Sequence, residues 1–336
     1  PENDPARIDR WNEIVRRVAD EAGVGVLDVA GGVAQWPGGE FDPERRADDG
    51  VGFTEVGVVD LASSFAAQIA ATRPPPERPD PAADIAAEAP LPPAPAVTPR
   101  RTAAAGRTAD VLVVGDSVAF NIGFGLDEWA DNTSELRVQS AGQLGCPVAR
   151  GGQYRFLREL ESFGTDCDWA TLYPDWVAST DPEVAVLTSG IWEVVDRRLP
   201  GDDRFRSIGD PVFDRYLLSE MLSAIDTLGA RGATVVLLTY PHFEPGRDQG
   251  YTDLPESDPA RVDRLNEIMA EAVAMRPGVA TMVDFQAWLA SQPGGELDPA
   301  KRSDGLHFED GYSIQIGQWL GPQLLDRARN GLPTAG

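Results

Sequence analysis

The chain has 336 residues, 42% of them hydrophobic, so it is long enough for two modules or for one domain with a tail. It carries 29 basic and 54 acidic residues, and the net charge of −25 argues against nucleic acid and anionic membrane surfaces as partners. No apolar run approaches the roughly 20 residues of a membrane helix, and no signal-peptide pattern is present. Because the chain begins at Pro1, we expect it to be part of a longer protein, whose start could carry targeting information.

The chain contains an internal repeat. Residues 1–14 align with residues 255–268 and are identical to them at 11 of 14 positions. The similarity continues through two further pairs of segments, 35–40 with 291–296 and 49–53 with 304–308. We therefore predict that residues 1–72 are a partial copy of the C-terminal part of a later module.

This partial copy is predicted to contain a helix, a strand that ends near Asp28, a terminal turn and a closing helix. Gly52 stands in the turn at the position that His307 occupies in the later copy. A partial α/β layer leaves one apolar face without a partner. We therefore expect the segment to dock on the later module or to depend on sequence outside this chain.

Residues 73–108 differ in composition from the segments on either side. Prolines, as in 74–76 and 92–93, stand among alanines and acidic residues, with few large apolar side chains. Proline favours an extended, semi-rigid chain, and so little apolar surface cannot form a core. We interpret this stretch as a linker.

Residues 109–330 alternate between predicted strands and predicted helices. Five valine- and leucine-rich segments are typical of strands covered on both faces: 110–114, 136–140, 184–188, 234–240 and 279–285. Apolar residues recur at helical spacing between them, as from Phe213 to Leu228. This alternation indicates an α/β fold with a parallel sheet, in which a ligand crevice lies at the carboxyl ends of the strands.

Two short segments, almost two hundred residues apart, carry the residues of an activated serine. Ser117 follows the apolar run 111–114, where a strand is predicted to end and a helix to begin. His307 has a carboxylate, Asp304, three residues upstream, so one turn holds both the imidazole and the group that orients it. Each motif alone is more typical of a solvated turn. Their order within the alternating pattern predicts a serine nucleophile and its base.

Only two histidines occur, His242 and His307, so a base for Ser117 must be one of them. We predict His307, because its neighbouring carboxylate would orient an imidazole that accepts protons near neutral pH. His242 follows the fourth predicted strand. It could contact substrate or be a rim histidine without a role.

Four sequence blocks occur in order within residues 110–329. They are Val114-Gly115-Asp116-Ser117, Ser140-Ala141-Gly142-Gln143-Leu144-Gly145-Cys146, Ser189-Gly190-Ile191-Trp192-Glu193 and Asp304-Gly305-Leu306-His307. Together they resemble the blocks of SGNH (GDSL-like) hydrolases, of the type fused to membrane acyltransferase-3 proteins in actinobacteria. The resemblance implies a flavodoxin-like three-layer α/β fold with a central parallel sheet of about five strands. It makes 109–330 the hydrolase domain and 1–72 a degenerate SGNH-like segment.

The resemblance also implies roles for individual residues. Ser117 would be the nucleophile, and Asp304 and His307 would complete a catalytic triad. The backbone amides of Ser117 and Gly145 would form the oxyanion hole. A simple turn glycine is the alternative interpretation of Gly145.

The third block departs from the family pattern, because Trp192 stands where an asparagine side chain usually donates to the oxyanion. The indole N–H could replace that donor, or the ring could form a wall of the acyl pocket, which is the interpretation we favour. The residues expected to contact substrate are Trp192, Asp116 and His242. Three charged residues follow Trp192 and are expected to be solvated or to line the crevice: Glu193, Asp196 and Arg197.

The two cysteines, Cys146 and Cys167, have no further cysteine or histidine at zinc-ligand spacing, so we expect no metal site and no cofactor. In an oxidising compartment a disulfide between them would close the loop after the glycine block and contribute roughly 3 kcal/mol. Two buried thiols are the alternative.

Three functions are compatible with these residues. The first is a serine esterase that acts on small O-acyl esters of a carbohydrate, with acetyl as the expected group. The second is an extracytoplasmic sugar O-acetyltransferase that works with a membrane acyltransferase domain. The third is a catalytically silent carbohydrate-binding module. The substrate class and the membrane partner come from the resemblance alone.

Overall fold

The valine- and leucine-rich segments form a parallel sheet in the protein, which we describe from a computed structural model. In chain order the strands are β1 (Ala109–Gly115), β2 (Leu136–Gly142), β3 (Gln153–Phe156), β4 (Glu159–Ser162), β5 (Val184–Leu187), β6 (Asp196–Arg198), β7 (Thr234–Leu238) and β8 (Ala280–Val283). The main sheet has the order β2-β1-β5-β7-β8, with every pair parallel. Every residue of β1, β5 and β7 is buried. The predicted α/β fold with a five-stranded parallel sheet is confirmed.

The structure describes residues 5–22, 26, 28–34, 36–38, 42–46, 53–54, 56–58, 61, 90–96, 98–164 and 167–332. It divides into two compact units, Pro1–Pro79 and Asp80–Gly336. Several features predicted from the sequence fall outside the described residues: Gly52, most of the strand and closing helix of the first copy, and linker residues 73–89.

The first unit contains helices α1 (Pro5–Ala22) and α2 (Val29–Ala34). In the second unit, helices lie on both faces of the main sheet: α3 (Ser117–Thr133), α4 (Trp169–Thr180), α5 (Ile191–Val194), α6 (Pro211–Gly229), α7 (Pro259–Ala274), α8 (Phe285–Ser291) and α9 (Asp310–Asn330). In the second unit α3 packs on α9, while α4, α6 and α7 pack on one another in turn. Strand β1 contacts α4 as well as α3 and α9, so the sheet is the middle layer. Within the described ranges, no helix is long and apolar enough to span a membrane.

A second, smaller sheet was not predicted. Its strands are antiparallel and have the order β4-β3-β6. The hairpin between β3 and β4 turns at Leu157 and Arg158, whose φ angles are 49° and 68°. Tight hairpins of this kind usually carry asparagine and glycine at the turn. The sequence therefore holds none of the usual hairpin signal.

The first unit repeats local contacts of the second. Asp28 accepts a hydrogen bond from Gly31 N (3.0 Å), as Asp284 does from Ala287 N (2.9 Å), each at the start of a helix. Further along, the Asp42 carboxylate accepts from Glu44 N and the Asp298 carboxylate from Ala300 N. The guanidinium groups of Arg46 and Arg302 lie over Phe53 and Phe308, at 4.4 and 5.0 Å from the ring centroids. These pairs occupy aligned positions of the repeat.

The C-terminal half of the predicted linker is bound to the second unit. Pro92 O accepts a hydrogen bond from Arg276 (3.0 Å), and Arg101 N donates to Gly232 O (2.9 Å). Ala103 is buried and its N–H donates to Ala328 O. Arg276 and Gly232 precede β8 and β7, and Ala328 lies in the last turn of α9, so residues 90–96 and 98–108 cross the amino ends of the strands. These residues form an extended strap on the domain, whereas the sequence predicted only a linker.

Helices α3 and α9 touch through their backbones. A Cβ atom on Gly125 would lie 1.8 Å from Ser313 O, and a Cβ atom on Gly317 would lie 1.9 Å from Gly125 O. Real Cβ atoms do not approach backbone this closely, so only glycine permits the crossing. The crossing places the amino end of α3 beside the turn that precedes α9.

Gly317→Ala should therefore force the two helices apart. We expect it to lower the free energy of unfolding by roughly 1–3 kcal/mol, the usual cost of overpacking a core, as measured by urea denaturation. The control is Gly311→Ala in the same helix, where an added Cβ would meet nothing within 4 Å. That change should shift stability by less than about 1 kcal/mol. Equal effects of the two substitutions would contradict the proposed contact.

Candidate active site

Ser117 lies at the carboxyl end of β1, in the sharp turn that starts α3. Gly115 has φ of 139°, and a Cβ atom there would lie 2.2 Å from Thr188 Oγ1, so the turn requires glycine. Asp116 caps the helix, because its Oδ1 accepts a hydrogen bond from Val118 N (2.9 Å). These constraints hold the Ser117 hydroxyl at the carboxyl end of β1.

The side chains of Ser117, His307 and Asp304 form a continuous hydrogen-bonded chain. His307 Nε2 lies 2.7 Å from Ser117 Oγ, and His307 Nδ1 lies 2.6 Å from Asp304 Oδ2. With Nδ1 as the donor to the carboxylate, Nε2 is left as the acceptor for the serine proton. The structure therefore brings together the three side chains that the sequence singled out.

The turn that carries His307 is held by its own carboxylate. Asp304 Oδ1 accepts hydrogen bonds from Leu306 N and His307 N, both at 2.8 Å. Phe308 N donates to Asn121 Oδ1 on α3 (3.2 Å), which ties the turn directly to the helix that begins at Ser117. The imidazole is thus positioned from both sides.

The pKa of Asp304 is low. Partial burial alone would raise it, but the hydrogen bonds from the His307 ring and from the Leu306 and His307 amides outweigh burial and hold the pKa at about 2. Asp304 is therefore ionised across the neutral range. In that state it can stabilise a protonated His307.

Two backbone N–H groups are available near Ser117. Among the described residues, neither Ser117 N nor Gly145 N donates a hydrogen bond to another protein group. The loop that contains Gly145 starts beside the serine turn, where Gln143 N donates to Gly115 O (2.8 Å). These N–H groups are the candidates for an oxyanion hole.

The Trp192 ring forms a wall next to Gly145. Its Cζ2 atom lies 4.0 Å from the position of a Gly145 Cβ, and three aromatic rings surround it, those of Tyr154, Phe156 and Phe163. The indole Nε1 is buried and has no hydrogen-bond partner in the described part of the chain. Because Nε1 is inaccessible to solvent, an oxyanion in the site would not reach it in this arrangement. The geometry favours a wall over a donor.

Sequence reasoning missed the aromatic residues around Trp192, which come from β3 and from the segment after β4. Tyr154 and Phe156 are two residues apart on β3 and so lie on one face of the strand. That spacing of two aromatic residues is the signal that could have indicated a half-buried strand.

Cys146 and Cys167 form a disulfide, with their Cα atoms 4.9 Å apart. It links the residue after Gly145 to the segment just before α4. The loop that carries Gly145 N is therefore restrained covalently. Within the described residues, no group of three or more histidine, cysteine or acidic side chains could hold a metal ion.

His242, expected to contact substrate or to be a rim histidine without a role, lies between two carboxylates of the protein. Its Nδ1 lies 2.7 Å from Glu296 Oε1, and its Nε2 lies 3.0 Å from Asp263 Oδ1. Both ring nitrogens are thus occupied by protein carboxylates. His242 instead links the loop after β7 to α7 and to the turn at Glu296.

Two of the charged residues after Trp192 are neither solvated nor on the crevice surface. Glu193 is 1% exposed and Arg197 is fully buried. Burial raises the pKa of Glu193, although the charge of Arg197 and three backbone amides oppose that shift. Asp196 is partly exposed and pairs with Arg261.

Asp116, which was expected to contact substrate, is also buried, at 2% exposed, and its carboxylate caps the helix that begins at Ser117. Burial, and next the negative charge of Glu193, raise the pKa of Asp116 to about 7. Its Oδ2 is buried with no partner among the described residues, which disfavours the ionised form.

Asp116→Asn should change how stability depends on pH, because asparagine keeps the cap but cannot ionise. The pKa of Asp116 rises on folding from 3.8 to about 7, so its contribution to stability is complete below pH 3.8 and is lost as the pH rises through 7. Relative to the variant, the wild type should lose up to roughly 4 kcal/mol between pH 4 and pH 8. Urea denaturation at several pH values measures this difference, and a difference that is constant with pH would contradict it.

Trp192→Phe tests the role of the indole N–H. We expect a loss of less than about three-fold in kcat, whereas the loss of a true oxyanion donor costs about 100-fold or more. Trp192→Ala removes the wall itself and should raise kcat/KM for butyrate esters relative to acetate esters. Steady-state kinetics on p-nitrophenyl esters measure both. A 100-fold loss in Trp192→Phe would show that the indole donates.

Comparison with known proteins identifies the family of this chain. The SGNH domain (fused to AT3 domains) matches residues 79–302, a range that includes Ser117 and Gly145 and ends before Asp304. A search of the curated proteins found no match.

Among solved structures, a GDSL-like lipase from Bacteroides thetaiotaomicron VPI-5482 is 15% identical over 66% of this chain and 89% of its own, with a TM-score of 0.43. The periplasmic domain of a lipopolysaccharide acetyltransferase from Salmonella ser. Paratyphi A is 12% identical over 65% of this chain and 84% of its own, with a TM-score of 0.45. The family match covers more than half of the chain, and the chain therefore belongs to the family of SGNH domains that are fused to AT3 domains.

Proposed function

We propose that this protein transfers small acyl groups from esters through an acyl-Ser117 intermediate. The observation that carries the proposal is the hydrogen-bonded chain from Ser117 Oγ through His307 to Asp304, with distances of 2.7 and 2.6 Å. A serine, an imidazole and a carboxylate in this order are the groups that nucleophilic acyl transfer needs.

In the first half of the reaction, Ser117 Oγ attacks the ester carbonyl carbon while His307 Nε2 takes the hydroxyl proton. Asp304 stabilises the imidazolium through Nδ1. The carbonyl oxygen gains negative charge and accepts hydrogen bonds from the N–H groups of Ser117 and Gly145. The bond to the leaving alcohol then breaks, and the alcohol leaves with the proton from His307.

In the second half, an acceptor hydroxyl attacks the acyl-Ser117 carbonyl carbon and His307 takes its proton. The bond between that carbon and Ser117 Oγ then breaks, and Ser117 Oγ takes the proton back from His307. Water as the acceptor gives an esterase, and a sugar hydroxyl gives an acyltransferase. The family supports the second outcome, because its members are fused to AT3 domains. We propose an extracytoplasmic domain that works with a membrane acyltransferase domain on O-acyl groups of a carbohydrate.

A small acyl group fits the proposed site. Trp192 stands beside Gly145 and is held in place by three aromatic neighbours. A rigid ring in this position limits the space next to the carbonyl carbon. This is the basis for proposing acetyl esters over long-chain esters.

We also propose that residues 1–72 are a degenerate SGNH-like segment without chemistry of its own. The sequence repeat and the shared contacts at Asp28, Asp42 and Arg46 support this. All activity of the full chain would then depend on Ser117.

Ser117→Ala should therefore abolish both ester hydrolysis and labelling by a fluorophosphonate, which reacts with activated serines. Loss of the nucleophile or base of such a triad costs about 10⁶-fold in kcat. Mass spectrometry of the labelled wild type should locate the adduct on Ser117, with Ser189→Ala as a control that keeps it. If the wild type forms no adduct under conditions in which a known serine esterase reacts, the acyl-Ser117 mechanism is contradicted. A catalytically silent binding module would then be the remaining function.

A second assay separates the two acceptors. The wild type is incubated with p-nitrophenyl acetate with and without an oligosaccharide acceptor, and the masses of the products are measured by mass spectrometry. A transferase should add 42 mass units to the glycan, the mass of one acetyl group in place of hydrogen, whereas an esterase releases only acetate.

A further inference from the structure

The segment after Gly145 has no regular secondary structure, yet its backbone is completely hydrogen-bonded. All six N–H and C=O groups of Val148, Ala149 and Arg150 pair with side chains. The partners are Glu193 for the first two N–H groups, Glu220 for Arg150 N, and Trp169, Arg197 and Tyr216 for the three carbonyl oxygens. Loops held in this way by buried side chains are rigid.

Glu193 joins this segment to the loop after β5. Its Oε1 accepts from Val148 N at 2.7 Å, and its Oε2 accepts from Gly190 N at 2.8 Å. One buried carboxylate thus fixes the separation of two loops that approach Ser117 from different sides. The loop of Gly190 is in turn attached to the serine turn, because Thr188 N donates to Val114 O (3.0 Å).

Arg197 joins the same two loops through their carbonyl oxygens. Its guanidinium donates to Ala149 O, to Gly151 O (3.4 Å) and to Trp192 O (2.7 Å), and it lies 4.3 Å from the Phe163 ring centroid. Its charge opposes the rise in the pKa of Glu193 that burial causes.

We propose that Glu193 and Arg197 are a positioning pair that sets the Gly145 N–H relative to the Ser117 N–H in the oxyanion hole, an inference that rests on the proposed function. Only Cys146 and Pro147 separate Gly145 from Val148. The disulfide at Cys146 and the rigid ring of Pro147 leave little freedom between them. A displacement at Val148 is therefore transmitted to Gly145.

Glu193→Gln tests the pair with a nearly isosteric change. The amide group of glutamine must place a donor against Gly190 N–H or Val148 N–H, so one of the two bonds is lost. We expect kcat to fall about 10- to 100-fold, since small misplacements of donors have effects of this size, while KM changes less than about two-fold. The rate of fluorophosphonate inactivation should fall by the same factor as kcat, because the phosphonyl oxygen occupies the same oxyanion hole.

The matched control is Glu183→Gln. Glu183 is equally buried, accepts a hydrogen bond from Asp110 N (2.7 Å) and pairs with Arg107, but it lies at the amino end of the sheet. Both substitutions should lower the midpoint of thermal unfolding. Only Glu193→Gln should lower kcat and the inactivation rate, whereas Glu183→Gln should leave both within about two-fold of the wild type.

The outcomes distinguish failure of the positioning role from failure of the proposed acyl transfer through Ser117. Suppose that the wild type reacts with fluorophosphonate. The positioning role alone is then overturned if Glu193→Gln reacts as fast as the wild type, or if Glu183→Gln loses as much of the inactivation rate as Glu193→Gln does. A wild type that does not react overturns the proposed function and the positioning role together. If Glu193→Gln does not fold, Arg197→Lys keeps the charge but loses the planar guanidinium, and the same kinetic pattern is required of it.

Discussion

The backbone contact between Gly125 of α3 and Gly317 of α9 is the constraint on which the arrangement of this protein depends. Ser117 starts the first of these helices, and His307 lies just before the second, 190 residues later. Their hydrogen bond requires the two helices to cross at the distance that two glycines permit. The bond from Phe308 N to Asn121 strengthens the same junction. Core packing, rather than local sequence, thus brings Ser117 to His307.

Around this junction, polar side chains that are buried or partly buried hold the turns and loops in place. Asp116 caps the helix of Ser117, Asp304 holds the turn of His307, and Glu193 with Arg197 fixes the loop after Gly145. A buried polar group is costly unless it is hydrogen-bonded, so each of these side chains restricts the backbone that satisfies it. Asp116 is the exception, and its incompletely satisfied carboxylate is where we expect a pH dependence of stability.

Several features followed from the sequence because their causes are local. Strands covered on both faces must be apolar throughout, and this produced the valine-rich runs that predicted the sheet. The second sheet was missed because its hairpin turns at Leu157 and Arg158, without the usual turn residues. Glu193 and Arg197 were expected to be solvated because charge is usually a surface property. Their burial depends on backbone groups more than forty residues away, which no local pattern encodes.

The sequence by itself determined the α/β alternation, the three side chains of the candidate triad and the repeat between residues 1–72 and the C-terminal region. These are patterns of residue type and spacing, and they do not depend on distant contacts. Only the tertiary structure decided that the Trp192 ring packs beside Gly145, that His242 and Asp116 hydrogen-bond to protein groups, and that residues 90–96 and 98–108 form a strap. Each of these depends on which groups fill the space around a side chain, and that is set by the packing of the whole domain.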